Sequence, residues 1–296
     1  MAWTTQPKVI ELRRRSSIID VIVETLDGFR RHLTGRNAAV LAYYGFLTLF
    51  PLLLAGTTIL GFVLEDDPEL QADIVDSALS RIPVIGADLE PGSTIEGNWW
   101  ALVIGLGVAI WGSLKAFVAV QGALDDIWEI PVDDRASGAI QRLKALIGIA
   151  VIGFGQFGAV ALAALVAEAS LPQFGRILLL LGGFVLNMVV VGTMYRYLTT
   201  RSVSWDMVWP GALFTGALYT VLQFLGTRIV TNTLNDAESV YGTFAATLAL
   251  LSWLSLHALI SLVGAELNAA IVRRREHRST GATWPPAPPA IATNEG

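Results

Sequence analysis

The sequence predicts an all-α, polytopic membrane protein: a bundle of six transmembrane helices preceded by an amphipathic N-terminal helix. Three observations carry that reading. The chain is 53% hydrophobic and 15% charged, where soluble domains average about 25% charged. Residues 242–272 hold one formal charge, Glu266, before the chain meets Arg273, Arg274 and Arg275. A helix of that length crosses a hydrocarbon core of ~30 Å at ~1.5 Å per residue. Finally, Lys and Arg segregate between alternate loops, as they do around membrane spans.

Taken in order, residues 1–15 are polar and basic, end in Arg13, Arg14 and Arg15, and lack the apolar core of a signal peptide. The next stretch places Ile18, Ile22, Leu26, Phe29 and Leu33 at helical spacing, and Ser17 with Asp20 gives an N-terminal capping pattern. This is an amphipathic helix, lying either on the inner membrane surface or against the protein's own inner loops. Residues 1–37 form a cytoplasmic tail on this reading, and 38–272 the membrane domain. Its six apolar spans cover 38–64, 99–121, 143–167, 177–198, 207–230 and 241–275. The first carries Pro51, whose missing N–H and clash with the carbonyl of Leu47 predict a kink. The second opens on Trp99 and Trp100, suited to the interface belt. Residues 273–296 form a cytoplasmic tail whose Pro-rich end predicts disorder.

The charge count sets the orientation. Sixteen Lys and Arg fall on one side of the six spans, in the N-terminal tail, the second and fourth loops and the C-terminal tail. Arg81, Arg176 and Arg228 fall on the other, and Lys115 lies inside span two. Both termini are therefore cytoplasmic, which requires an even number of spans. The large outer loop, 65–97, is strongly acidic, and a solvated surface explains that better than a cation-attracting vestibule.

Chemistry-bearing motifs are few. The pattern GFGQFG at 153–158 sits inside an apolar span with no strand before it, which excludes a dinucleotide site. Gly155, Ala159, Ala163 and Ala167 recur every four residues instead, as do Gly105, Ala109 and Ser113, making faces on which membrane helices approach closely. Asp125, Asp126 and Glu129, with Asp133 and Asp134, lack a second acidic cluster and read as a hydrated cytoplasmic turn with Trp128 at the interface. The chain has no cysteine, and its three histidines, His32, His257 and His277, show no metal spacing. Neither a catalytic residue, a metal site nor a cofactor is predicted, and no nucleic-acid partner. Membrane lipids are the expected partners, with a homo-oligomer through the small-residue faces as a further expectation.

The informative residues are polar ones at membrane depth. Lys115 and Glu266 each lie ~10 Å from the inner interface at ~1.5 Å per residue. A charge at a helix centre costs ~2.5–3.5 kcal/mol on insertion scales. They pair across the bundle, or Lys115 snorkels to the headgroups and Glu266 finds a neighbouring helix. Gln156, Asn187, Gln223 and His257 add polar groups to spans three to six. If these residues line one cavity they form a path; if they face lipid or lone neighbours they are glue between helices.

Five segments together resemble the YihY/BrkB family of bacterial inner-membrane proteins, formerly labelled ribonuclease BN-like. They are AAVLAYYGFLTLFPLLLA (38–55), ALDDIWEIP (123–131), MYRYLTTRSVSW (194–205), PGALFTGALY (210–219) and the stretch 241–271 with its YGTF, WLSLHALISLVGAELNAAI pattern. Residues matching the family pattern include Tyr43, Tyr44, Pro51, Trp128, Tyr195, Arg196, Pro210, Gly211, Tyr241, Gly242, Trp253, Gly264 and Glu266. Where the family often has Asn after span two, this chain has Asp125. The resemblance implies six helices with both termini inside, and a link to envelope integrity, virulence or lipid transport. Ribonuclease chemistry would need acid–base or metal groups on a basic, water-accessible surface, which the inner loops do not offer. The expectation is a protein that transports or flips a lipid or other amphiphilic envelope component. The rival expectation is a non-transporting scaffold of the envelope, with a membrane-bound nuclease third.

Overall fold

The computed structural model describes residues 6–63, 99–148, 150, 173–222 and 244–280, and every helix or turn there is helical in type, with no strand among the described residues. Helix α1 spans Pro7–Arg15, α2 Ser17–Arg31 and α3 Thr34–Val63. Helix α4 spans Trp99–Ile127 and is followed by a 3-10 turn at Val132–Asp134. Helix α5 covers 138–148, α6 Gln173–Tyr197, α7 205–222 and α8 Phe244–Thr280. Two helical stretches, Leu106–Ile127 in α4 and Thr247–His277 in α8, are long and apolar enough to cross a membrane.

Helix α3 packs along both α4 and α8, and α2 lies against α8. The α3–α4 approach is close because a Cβ on Gly112 would collide with the Thr48 side chain, and Ala109 is buried beside it. Here the predicted small-residue face is shifted: Gly112 joins Ala109 at the contact. Leu124, Ile127, Trp128, Tyr195, Leu262 and Val272 form the main buried cluster. The outward surface is apolar too, with Val40, Tyr43 and Leu47 of α3 and Val108, Ile110 and Trp111 of α4 exposed. An apolar exterior of this extent needs a non-aqueous neighbour.

Several sequence expectations change. Residues 7–15 of the polar, basic tail form a helix, started by Pro7 in its first turn and ended by three arginines that suit a helix C-terminus. The α2 cap is Ser16, which accepts from the Ile19 N–H at 3.5 Å, rather than Ser17. Helix α8 runs on through the arginine triplet to Thr280, so 273–280 belong to the fold rather than to a disordered tail. Pro51 lies inside α3, which continues to Val63, close to the predicted end of the first span. Most of predicted span three, beyond 148 apart from 150, and the end of span five, 223–230, lie outside the described residues, as do Gln156, Gln223, Tyr241, Gly242 and the small-residue face 155–167.

In the acidic turn after span two, Glu129, Asp133 and Asp134 are exposed, but Asp125 and Trp128 are buried rather than hydrated. Asp125 is buried and accepts from Thr199 Oγ1 at 2.9 Å, the Thr200 N–H at 2.7 Å and Thr200 Oγ1 at 2.9 Å. Trp128 is buried in the main cluster under the Arg201 guanidinium, 5.0 Å from its ring centre. Satisfying a carboxylate with three donors removes most of the penalty of burying it.

Candidate functional site

The end of α4 sets the site. Its last turn closes with a pair of bonds, Glu129 N–H to Asp126 O at 3.0 Å and Ile130 N–H to Asp125 O at 2.9 Å. This is a Schellman ending, with Pro131 next to prevent continuation. The residue in the left-handed conformation is Glu129, φ 55°, where glycine is usual. Leu33, between α2 and α3, holds a second such conformation at φ 52°. Left-handed backbone in a non-glycine residue costs roughly 1–2 kcal/mol, so both positions are held by what surrounds them. Both flank His32.

His32 caps the end of α2 and bridges two carboxylates. Its Nδ1 lies 2.8 Å from Glu266 Oε1 and its Nε2 lies 3.4 Å from Glu129 Oε1. Burial alone would lower its pKa, but hydrogen bonds to Glu129 and Glu266 outweigh burial and raise it to about 9. His32 is then a cation at neutral pH, donating from both nitrogens. In return, the His32 hydrogen bond holds Glu129 down at about 2 against the opposing effect of burial, aided by Arg273 and Arg31.

Glu266 is 0% exposed. Its Oε1 accepts from Thr34 Oγ1 at 2.7 Å as well as from His32, while Oε2 has no hydrogen-bond partner. Gly28 of α2 faces that oxygen, and a Cβ there would collide with it. Glycine at this position therefore lets α2 approach the carboxylate.

Around this core, ion pairs alternate in sign. Glu24 pairs with Arg13 at 2.9 Å, Arg31 at 2.9 Å and Arg273 at 3.3 Å. Asp20 pairs with Arg13 at 2.7 Å and with Arg274 at 2.8 Å, although Arg274 Nε lies off hydrogen-bond geometry. Arg31 also reaches Glu129 at 3.0 Å, and Arg273 donates to Ile127 O at 3.2 Å. The network joins α1, α2, the start of α3, the end of α4 and the last third of α8.

A neutral site holds α7 to α8. Asn268 accepts from the Gly211 N–H at 2.7 Å and donates to Val208 O at 3.0 Å, gripping α7 on both sides of Pro210. Proline interrupts a helix ladder, and neighbouring helices commonly re-satisfy the freed groups in membranes. Gly211 and Gly264 meet backbone to backbone, and Tyr195 bonds Thr215 at 2.9 Å and the Ser261 carbonyl.

The predicted path residues do not converge among the described residues. Lys115 does not pair with Glu266: it is exposed on α4, its ammonium 5.8 Å from the Trp111 ring centre. Glu266 is claimed instead by His32 and Thr34, short side chains that reach it without a desolvated ammonium. Asn187 is half-buried on α6. His257 bonds the Trp253 carbonyl at 2.9 Å and packs against the Trp253 and Tyr219 rings. Arg196 stacks on Tyr197 and Trp205, 5.2 Å from each ring centre. Tyr43 and Tyr44 meet edge to face at 5.5 Å. Thr34 and Asn268 were not singled out from sequence, and His32 and Glu129 were read only as a scattered histidine and part of an acidic turn. Pro131 marked the helix end that positions Glu129, but nothing local ties His32 to a residue 234 positions away. No cluster suited to a metal occurs among the described residues.

Comparison with known proteins adds a consistent picture. The family profile described as virulence factor BrkB matches residues 25–288. The chain is 26% identical over 156 residues to "Inner membrane protein YhjD" of Escherichia coli, covering 49% of this chain but only 44% of that protein. It is 26% identical to a "UPF0761 membrane protein" of Pseudoalteromonas translucida, over 79% of this chain and 80% of that one. It is 22% identical to "Putative ribonuclease-like protein YfkH" of Bacillus subtilis, over 86% and 95%. No solved structure matches.

Proposed function

This chain belongs to the virulence factor BrkB family of membrane proteins, and from that premise we propose that it transports or flips a lipid or other amphiphilic envelope component. On this reading it sits in the bacterial inner membrane with six spans and both termini cytoplasmic. The observation that carries the proposal is Glu266: a fully buried carboxylate in an apolar helix, with one oxygen lacking a hydrogen-bond partner. Ionisable groups at membrane depth are expensive and characteristically mark ion, proton or substrate pathways. His32 links Glu266 to Glu129, a half-exposed group, giving a short relay between water and the bundle interior.

A second reading, a non-transporting envelope scaffold, is favoured by one observation: Lys115, Asn187 and His257 occupy separate surroundings rather than one path. A nuclease reading has support only in the name of one relative, and no described cluster offers its chemistry. The deciding experiment reconstitutes the protein in vesicles and measures transbilayer movement of fluorescent phospholipids, comparing wild type with Glu266→Gln. Accelerated movement lost in the variant supports transport through this residue. Equal movement in both removes Glu266 from the coupling, and movement no faster than in protein-free vesicles favours the scaffold.

A further inference from the structure

Helix α2 is docked with its charged face on the protein. Asp20 and Glu24 are buried in ion pairs with Arg13, Arg31, Arg273 and Arg274, and Gly28 is buried against Glu266. The opposite face carries Ile18, 72% exposed, Ile22, 51%, and Leu26, 50%, one helical turn apart, with Ile19 and Leu33 exposed beside them. This is the reverse of a helix on a water-facing surface, where the apolar stripe packs inward. Nothing described in the protein covers that stripe.

Its rim is basic. Arg30, four residues beyond Leu26, continues the stripe by helical spacing, and Arg30, Arg14 of α1 and Arg36 of α3 are exposed and form no ion pair among the described residues. The same helix is tied through Asp20 and Glu24 to Arg273 and Arg274, at the end of the apolar run of α8 where a span meets the headgroups. We propose that the α2 stripe is seated in the inner leaflet of the membrane, with the exposed arginines on anionic headgroups. An amphipathic helix of this kind lies in the interface plane, buried about 5–10 Å, and adds affinity from both apolar area and anionic lipid. The ion pairs fix its depth relative to α8, so α1–α2 serves as a collar between bundle and leaflet. The inference rests on the exposed stripe and the family's membrane location, and stands whether or not the protein transports.

The chain contains no cysteine, so single labels report cleanly. Ile22→Cys, Leu26→Cys and, as a water-facing reference, Lys8→Cys would carry a nitroxide in full-length protein reconstituted in phosphatidylglycerol–phosphatidylethanolamine vesicles. Ile18→Cys replaces either stripe variant that does not fold. Labels at the stripe should be accessible to oxygen and shielded from an aqueous nickel relaxant, with the Lys8 position the reverse. Exchange of phosphatidylglycerol for phosphatidylcholine should make the stripe labels shallower; an unchanged depth overturns the electrostatic half of the proposal. Equal aqueous access at stripe and reference overturns the whole. So does a stripe shielded from both probes whose cysteines cross-link two chains, which would assign this face to a second copy.

Discussion

Two joints on α8 are built from opposite materials. Near residues 264–268 the helix meets α7 through Gly264, Gly211 and Asn268, and α6 through Tyr195, all neutral, with the α7 and α8 backbones in contact. Two turns further on, Arg273 and Arg274 meet α2 through Asp20 and Glu24, and Glu129 joins from α4. Glu266 lies in the same stretch of α8 as the neutral joint but turns to His32 and Thr34 on the charged side. The difference follows the solvent. In an apolar medium, close van der Waals packing and neutral hydrogen bonds hold helices without a desolvation penalty. At the edge of an apolar layer, water and headgroups stabilise residual charge, and ion pairs can fix a helix that shows its apolar face outward.

The sharpest way to break the comparison is at its boundary. Glu266→Leu takes from His32 its nearer carboxylate, leaving only the half-exposed Glu129, and from Thr34 its acceptor; removing one partner of a buried pair costs about 3–5 kcal/mol. The folded fraction after detergent extraction, followed by thermal size-exclusion, should fall sharply, and the additional change His32→Leu should recover part of it. No recovery would show that the pair is not the source of the loss.

Gly264→Val tests the neutral joint. A Cβ there collides with Thr215, Tyr195 and the Gly211 carbonyl region, part of it backbone that cannot step aside. Overpacking costs typically 1–3 kcal/mol, occasionally more, so the melting temperature should drop in a salt-independent way. Asn268→Leu should cost about 1–3 kcal/mol by orphaning Gly211 N–H and Val208 C=O. The same melting assay at low and high salt checks both. A salt-dependent loss at either position would contradict a neutral joint.

The smallest effect separates the joints by pH. His32 has a raised pKa, so its contribution is complete below the ordinary value of 6.5 and is lost as pH rises through about 9. Glu129 has a lowered pKa, so its contribution is present above 4.5 and lost as pH falls through about 2. Melting temperature should therefore decline between pH 7 and 9.5 in wild type, and less so in His32→Gln. Glu129→Gly should also flatten the slope while relieving the left-handed backbone at that position. An unaltered slope in both variants would remove His32 from the titration.

Much was legible in the sequence because it is one-dimensional information. Apolar runs of span length place α3, α4, α6 and α8 where 38–64, 99–121, 177–198 and 241–275 predicted, since lipid demands contiguous apolar helix. The pattern Pro-Gly in α7 and Gly-Ala-Glu in α8 falls where those two helices touch and where the buried carboxylate sits. The stripe Ile18, Ile22, Leu26 was readable by its period alone, but not which of its two faces met the protein.

What the tertiary structure decided was partnership. Glu266 was legible as a charge in need of a partner, and depth suggested Lys115; only packing could give it His32 and Thr34, from a junction more than 230 residues away in sequence. Asp125 and Trp128 were readable as a helix end, yet their burial depends on Thr199, Thr200 and Arg201 arriving from another loop. Glu129 departs from the glycine usual at its position because its side chain serves three cations that the local sequence does not contain as neighbours. Hydropathy and helical period are sums over adjacent residues; the choice of counter-ion is made by distance in space, and that only the fold supplies.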